Sequence, residues 1–163
     1  MTHKAAFTPE EWTQLRILPS LVSGGVSAAD PGGLIGAFKE ATAGMKAMYE
    51  SLQQSNIELM KALFEDHSRP DMPDPKALLG EGARDQQIAN FKAAVGAQID
   101  QAMKLLDQKA LPAEALAYKQ MLMQVAERAA NAAKEGGFLG FGGVKVSEAE
   151  QSYLNELGKM LRL

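Results

Sequence analysis

The sequence predicts an all-α protein: a bundle of four main helices with a long second helix, a short fifth helix at the C-terminal end and no sheet. Apolar residues recur at spacings of three and four in five separate segments, as they do on one face of a helix. Several of these segments also begin with residues that cap helix N-termini. The composition, with 46% hydrophobic and 23% charged residues among 163, is that of a globular domain large enough to bury a core. We therefore expect one helical domain over residues 1–163.

The longest periodic segment covers residues 34–67 and contains no proline. Residues at alternating spacings of three and four are predicted to share one mainly apolar stripe of a helix, formed by Phe38, Ala41, Met45, Met48, Leu52, Ser55, Leu59 and Ala62. A single helix of this length would be about 50 Å long. Other helices, or a second copy of the chain, would have to cover such a stripe. The sequence therefore predicts a homo-oligomer or a complex with a partner protein.

The first helix is predicted to begin at residues 8–11, Thr-Pro-Glu-Glu, which have the pattern of a capping box with proline at the first helical position. Pro19 lies inside the apolar stripe that follows, and it predicts a kink or a break near Leu18. Residues 17–38 are rich in small side chains, which favours a close helical hairpin turning at residues 30–33. Contact of this hairpin with a membrane or a partner is the alternative interpretation.

Residues 68–83 contain three prolines and are predicted to form a Pro- and Asp-containing linker. The third helix should begin near Arg84 and end near Lys109. Pro112 is predicted to start the fourth helix. Residues 147–150, Ser-Glu-Ala-Glu, have the pattern of a second capping box and should begin the short last helix.

Charge and composition argue against several classes of function. The chain has 17 basic and 20 acidic residues, a net charge of −3, and no basic cluster of the kind that binds nucleic acid. It contains no cysteine, which excludes disulfides, thiolate metal sites and cysteine nucleophiles. The first residues do not resemble a signal peptide, and no run of about 20 apolar residues exists. We expect a cytoplasmic protein that does not bind a membrane surface.

One short segment places a histidine among acidic residues. Asp66, His67, Asp71 and Asp74 are weak candidates for a metal site, because imidazole and carboxylates are ligands of transition metals. A solvated helix end followed by a polar linker explains the same residues, and we expect no metal there. The Glu-x-x-His and His-Glu-x-x-His patterns of metalloproteins are missing. No catalytic motif is found, so the sequence predicts a protein that is not an enzyme and has no cofactor.

Residues 136–143 alternate five glycines with three large apolar residues, Phe138, Leu139 and Phe141. The segment fits neither the P-loop nor the dinucleotide-binding pattern. A buried connector, in which the rings close one end of the bundle, is the interpretation we favour. In the alternative the segment is exposed, and these three residues contact a partner. The nine methionines are predicted to fill the core instead of forming an adaptable groove.

Trp12, the Ser-Ala-Ala-Asp sequence at residues 27–30 and the Val-Ser-x-x-Glu sequence at residues 146–150 resemble tellurite-resistance-type helical domains. This resemblance implies an all-α fold. The acidic residues that the family carries after Ala-Ala-Asp are replaced here by Pro-Gly-Gly at residues 31–33. The metal-binding role of that family is therefore not carried over.

These observations together predict a non-enzymatic, soluble helical scaffold or protein-interaction module that self-associates or binds a partner protein. The alternative is a helical bundle that binds a small molecule, a lipid or a metal.

Overall fold

A computed structural model of the chain describes residues 2–29, 34–134 and 146–163. The fold is all-α, as predicted, and these ranges contain no strand. A short 3-10 turn, Lys4–Ala6, precedes the helices of the described ranges. These are α1 (Pro9–Ala29), α2 (Leu34–Gln54), α3 (Glu58–Glu65), α4 (Pro75–Leu79), α5 (Arg84–Lys109), α6 (Pro112–Lys134) and α7 (Glu148–Leu161).

Helix α1 is the centre of the bundle, where it contacts α2, α5, α6 and α7. Its buried residues lie on most of its circumference and include Leu15, Leu18, Val22 and Val26, none of which has any exposed surface. A helix that is buried over most of its circumference must be enclosed by others. The shared core is therefore built around α1 and not around residues 34–67.

Pro19 does not break the first helix, because α1 continues through it to Ala29. Proline has no N–H, so the carbonyl of Leu15, four residues earlier, loses its ordinary helical partner. The hydroxyl of Tyr118 in α6 donates a hydrogen bond of 2.6 Å to this carbonyl. A side chain from another helix thus supplies the donor that proline lacks. The first helix is not broken near Leu18, and a kink there, the other predicted outcome, stays a prediction.

The predicted long second helix is interrupted: α2 ends at Gln54 and α3 begins at Glu58. The hydroxyl of Ser55 accepts a hydrogen bond of 3.2 Å from the backbone N–H of Ile57. Serine and asparagine favour such local turns over the helical ladder, and Asn56 follows Ser55 here. The apolar spacing continues across the break, which is why periodicity alone predicts one helix over residues 34–67.

The buried face of α2 also differs from the predicted stripe. Ala41 and Met45 are exposed, whereas Gly44 and Ala47 are buried. At Gly44, an added Cβ would lie 2.6 Å from Oγ of Ser23 in α1. The small residues of α2 thus face the bundle because they permit close helix approach. This rotation leaves larger apolar side chains of α2 near the surface.

The other helix starts predicted from the sequence agree with those of the structure. Helices α5 and α6 begin at Arg84 and Pro112 as predicted. The capping box at residues 8–11 is formed, and so is the one in which Ser147 Oγ accepts from Glu150 N. The predicted linker is not wholly irregular, since it contains α4, capped by Asp74, which accepts a 2.9 Å hydrogen bond from Lys76 N. The predicted turn at residues 30–33 lies outside the described residues.

Within the described ranges, no helix combines the length and the hydropathy that a membrane span requires.

Candidate functional site

An apolar groove opens between α1, α2 and α3, with a volume of about 210 Å³. Two large apolar side chains at the groove have exposed surface: Met45 is 39% exposed and Tyr49 is 53% exposed. Leu15 and Met121 are buried at its base. We call this surface the groove and define it by its lining, which is Leu15, Arg16, Pro19, Ser20, Met45, Met48, Tyr49, Leu52, Leu63, Phe64, Asp66, His67, Pro70 and Met121.

One wall of the groove is aromatic. The rings of Tyr49 and Phe64 have centroids 5.1 Å apart and are tilted by 59°. His67 meets Phe64 edge-on, with centroids 6.3 Å apart. These distances lie in the range of favourable aromatic pairs. The wall is therefore held together before any ligand arrives, and it presents ring faces and edges to an incoming group.

The polar end of the groove is organised by Asp66, whose side chain is only 8% exposed. Its Oδ2 accepts hydrogen bonds from Nζ of Lys4 at 2.7 Å and from Nε1 of Trp12 at 2.8 Å. Its Oδ1 accepts from the backbone N–H of Ser68 at 3.0 Å and lies 3.4 Å from Nη1 of Arg16. One carboxylate thus ties the N-terminal segment and α1 to the chain that follows α3.

These partners change the acidity of Asp66. The Lys4 ammonium and the Ser68 hydroxyl, in that order, stabilise the carboxylate and hold the pKa of Asp66 well below its ordinary value of 3.8. Arg16 is also bound to this cluster through Asp66 O, Ser68 O and Ser68 Oγ. Because its guanidinium is occupied in this way, Arg16 borders the groove as a structural residue and not as a free cation.

The structure does not bring the four weak metal candidates into one site. Asp66 is bound to its cationic and hydroxyl partners, and His67 packs on Phe64. Asp71 lies in another concavity beside Pro9, and the side chain of Asp74 caps α4. Among the described residues, no group of three or more His, Asp or Glu side chains is placed to hold a metal ion.

The sequence alone does not predict the groove, because its residues come from four helices, α1, α2, α3 and α6, and from the segment that follows α3. The prediction that the methionines fill the core holds for Met103 and Met121, which are buried, but not for Met45 and Met72, which are exposed. The sequence of α2 did contain a signal for the groove. This helix has small residues on one face and methionine and tyrosine on another, and a helix of this kind can pack closely through the face that carries the small residues. The partner-contact candidates Phe138, Leu139 and Phe141 lie outside the described residues.

A second concavity, between α2 and α6, has a different character. It has a volume of about 340 Å³, and its lining includes Glu50, Gln54, Glu127 and Arg128. Ser51 spans the two helices by donating a 2.6 Å hydrogen bond to Gln124 Oε1. Apart from Ala47, its lining residues are polar or charged, and they carry charges of both signs. It is consequently a weaker candidate for specific binding than the groove.

Comparison with known protein families, curated proteins and solved structures gives no match for this chain. Its function is therefore inferred from the chemistry of the groove.

Proposed function

We propose that the chain is a non-enzymatic helical interaction module that self-associates through the groove. The observation that carries this proposal is the exposure of Met45 and Tyr49 beside an apolar cavity of about 210 Å³. Apolar side chains scattered singly on a surface need no explanation, but a concave group of them is typical of a binding site. Their burial against a second protein would remove this surface from water and favour association.

The side chains of the groove suit protein contact better than catalysis. Methionine has three rotatable bonds and adapts to irregular surfaces, and two methionines of α2, Met45 and Met48, border this cavity. Tyrosine is enriched at the centres of protein interfaces because its ring is rigid and its hydroxyl can remain hydrated. The acid of the groove, Asp66, already holds Lys4 and Trp12. It is therefore poorly suited to proton transfer.

The reason for expecting self-association is different from the one given by the sequence. A continuous 50 Å stripe would have had to be covered by other helices or by a second copy, but the break between α2 and α3 removes that requirement. We expect association to cover the exposed wall of the groove instead of the predicted stripe over residues 34–67.

Sedimentation equilibrium tests this proposal. At about 50 µM, a concentration at which micromolar affinities are visible, the chain should sediment as a species heavier than 17.5 kDa. Tyr49→Ala and Met45→Ala should weaken association, because both remove apolar contact area from the groove. Met72→Ala is the matched control, since Met72 is 52% exposed but does not line the groove. A 17.5 kDa species alone, or equal effects of Met45→Ala and Met72→Ala, would contradict the proposal.

A second candidate function is the binding of a small apolar molecule. The volume of the cavity favours it, because an engineered apolar cavity of about 150 Å³ is enough to bind benzene. In that case the chain would remain monomeric, and an indole or naphthalene probe would shift the methyl NMR signals of Met45 and Met48. Self-association that competes with such a probe would instead favour the interaction module.

A further inference from the structure

We propose that residues 2–7 form a strap that holds α3 against the bundle and thereby controls access to the polar end of the groove. The strap contains the 3-10 turn, Lys4–Ala6. It is anchored at both ends, and between its anchors it is bonded to Asp66, which lines the groove. The proposal holds for any occupant of the groove, so it can fail while the proposed function stands.

The first anchor of the strap is Thr2, which is buried against Glu114 in the first turn of α6. The backbone N–H of Thr2 donates a hydrogen bond of 2.9 Å to Oε1 of Glu114, and the Thr2 hydroxyl donates to Oε2. Glu114 is itself held in place, because its Oε2 also accepts from the backbone N–H of Leu111 at 3.0 Å. Hydrogen bonds to a charged group are among the stronger ones in proteins. This end of the strap is therefore firmly attached at a position outside the lining of the groove.

The second anchor is Phe7, whose ring is buried beside Trp12 with the two centroids 5.6 Å apart. Residues 3–6 are exposed between the anchors, and the Lys4 ammonium lies 2.7 Å from Oδ2 of Asp66, the residue that ends α3. An ion pair with an exposed lysine contributes little when the lysine is free to move. The buried anchors are thus what keeps Lys4 in place on Asp66.

Helix α3 is the element that such a strap can control. It has eight residues, and irregular segments precede and follow it. A helix this short depends on packing for its stability, and α3 packs against α2, α6 and the 3-10 turn of the strap. It supplies Leu63 and Phe64 to the lining of the groove. Release of the strap should therefore let this wall of the groove move.

Native-state hydrogen exchange of full-length variants gives the first test. Thr2→Val removes the hydroxyl bond at the anchor that lies outside the groove, and it should speed the exchange of the α3 amides by about two- to tenfold, the factor that one hydrogen bond commonly contributes. Lys4→Gln removes the ion pair and should speed it by about two- to fivefold.

The matched control for this test is Ile99→Val, which removes one methyl group from the core in α5, away from the strap and the groove. It should leave the exchange of the α3 amides unchanged, because α3 opens without unfolding of the rest of the bundle. If Thr2→Val has no effect on α3, the strap does not hold this helix. If Ile99→Val speeds the exchange as much as Thr2→Val does, α3 opens only when the whole fold opens. Either result overturns the proposal.

Thiol modification of Ser20→Cys measures access to the groove itself, since Ser20 lines it and the chain has no cysteine of its own. The measurement uses about 1 µM protein, at which a complex of micromolar affinity is largely dissociated. Adding Thr2→Val should raise the modification rate by about two- to tenfold, whereas adding Ile99→Val should not. An unchanged rate with Thr2→Val would overturn the proposal. So would a rate raised by Lys4→Gln alone, because Lys4 would then act as a local partner of Asp66 and not as part of a strap.

Discussion

Two buried tyrosines show how differently the same hydroxyl group can contribute to stability. The hydroxyl of Tyr118 donates to the Leu15 carbonyl that Pro19 leaves without a helical partner. The hydroxyl of Tyr153 is buried in α7, and no hydrogen-bond partner for it occurs in the described part of the chain. Burial raises the pKa of both phenols, so both stay protonated at neutral pH. The difference between them is therefore one of hydrogen bonding and not of charge.

Replacing each tyrosine by phenylalanine should change stability in different ways. Tyr118→Phe should lower the free energy of unfolding by about 1–3 kcal/mol, because it leaves a buried carbonyl without a donor. Tyr153→Phe, the matched control, should leave that free energy unchanged or raise it by up to about 1 kcal/mol, because it removes a buried hydroxyl that has no hydrogen-bond partner among the described residues. Urea unfolding measures both values. Equal destabilisation by the two substitutions would show that the Leu15 contact does not replace the missing helical bond.

Asp66 should make the stability of the fold depend on pH in the acid range. Its folded-state pKa is depressed by Lys4 and Ser68, so the unfolded chain takes up a proton at higher pH than the folded chain does. The stabilisation is therefore complete well above the ordinary pKa of 3.8 and is lost as the pH falls below it towards the folded pKa. At pH 7, Asp66→Asn should lower the free energy of unfolding by about 1.5–3 kcal/mol, the contribution of hydrogen bonds to a charged group.

The difference between Asp66→Asn and the parent chain should shrink as the pH is lowered from about 5 to about 2. Asp71→Asn changes an exposed carboxylate in the neighbouring segment, and it should alter stability by less than about 0.5 kcal/mol. Denaturant unfolding at several pH values measures these effects. A difference that stays constant over this range would mean that the charge of Asp66 does not stabilise the fold.

At the scale of the helices, glycines decide how closely the elements approach. Gly44 brings α2 against α1 at Ser23 and also lies near α6, since its added Cβ would be 3.3 Å from Cγ1 of Val125. In α7, by contrast, an added Cβ at Gly158 would have no described atom within 4 Å apart from its neighbouring residues and the backbone of its own helix. Alanine is favoured over glycine in a helix by up to about 1 kcal/mol. The two positions therefore separate packing from helix propensity.

Gly44→Ala should lower the free energy of unfolding by about 1–2 kcal/mol, because overpacking costs more than the gain in helix propensity. Gly158→Ala should raise it by up to about 1 kcal/mol. Thermal or urea unfolding of the two variants distinguishes these outcomes. If Gly44→Ala stabilised the protein as much as Gly158→Ala, that result would contradict the close packing of α2 against Ser23 of α1.

For the molecule as a whole, local signals in the sequence predict the helices well. The capping boxes at residues 8–11 and 147–150, and the proline at position 112, give the starts of three helices because capping depends on neighbouring residues alone. Periodicity does not predict the break at Ser55, because the apolar residues of α2 and α3 follow the same spacing of three and four on both sides of it. The continuity of α1 through Pro19 is missed because the compensating hydroxyl of Tyr118 comes from another helix.

The candidate site is less predictable than the helices, since it depends on how the helices are rotated and placed. Hydrophobicity alone assigns Met45 to the core, whereas close packing at Gly44 turns Met45 towards the surface. Asp66 and Trp12 are 54 residues apart, so nothing local indicates their hydrogen bond. The groove follows from these long-range contacts. Sequence patterns show which types of residue the groove contains, but they do not show that these residues lie together in the folded chain.

The central claim is that the groove is covered when copies of the chain associate, and the lack of cysteine allows a direct measurement. Ser20 lines the groove beside Met45, and Ser20→Cys changes a single side-chain atom. Ser152→Cys, at an exposed position in α7, is the control. The rate of thiol modification should fall for Ser20→Cys as protein concentration rises from about 1 to about 100 µM, across the range of micromolar dissociation constants, while the rate for Ser152→Cys stays constant. A rate for Ser20→Cys that does not depend on concentration would contradict the account.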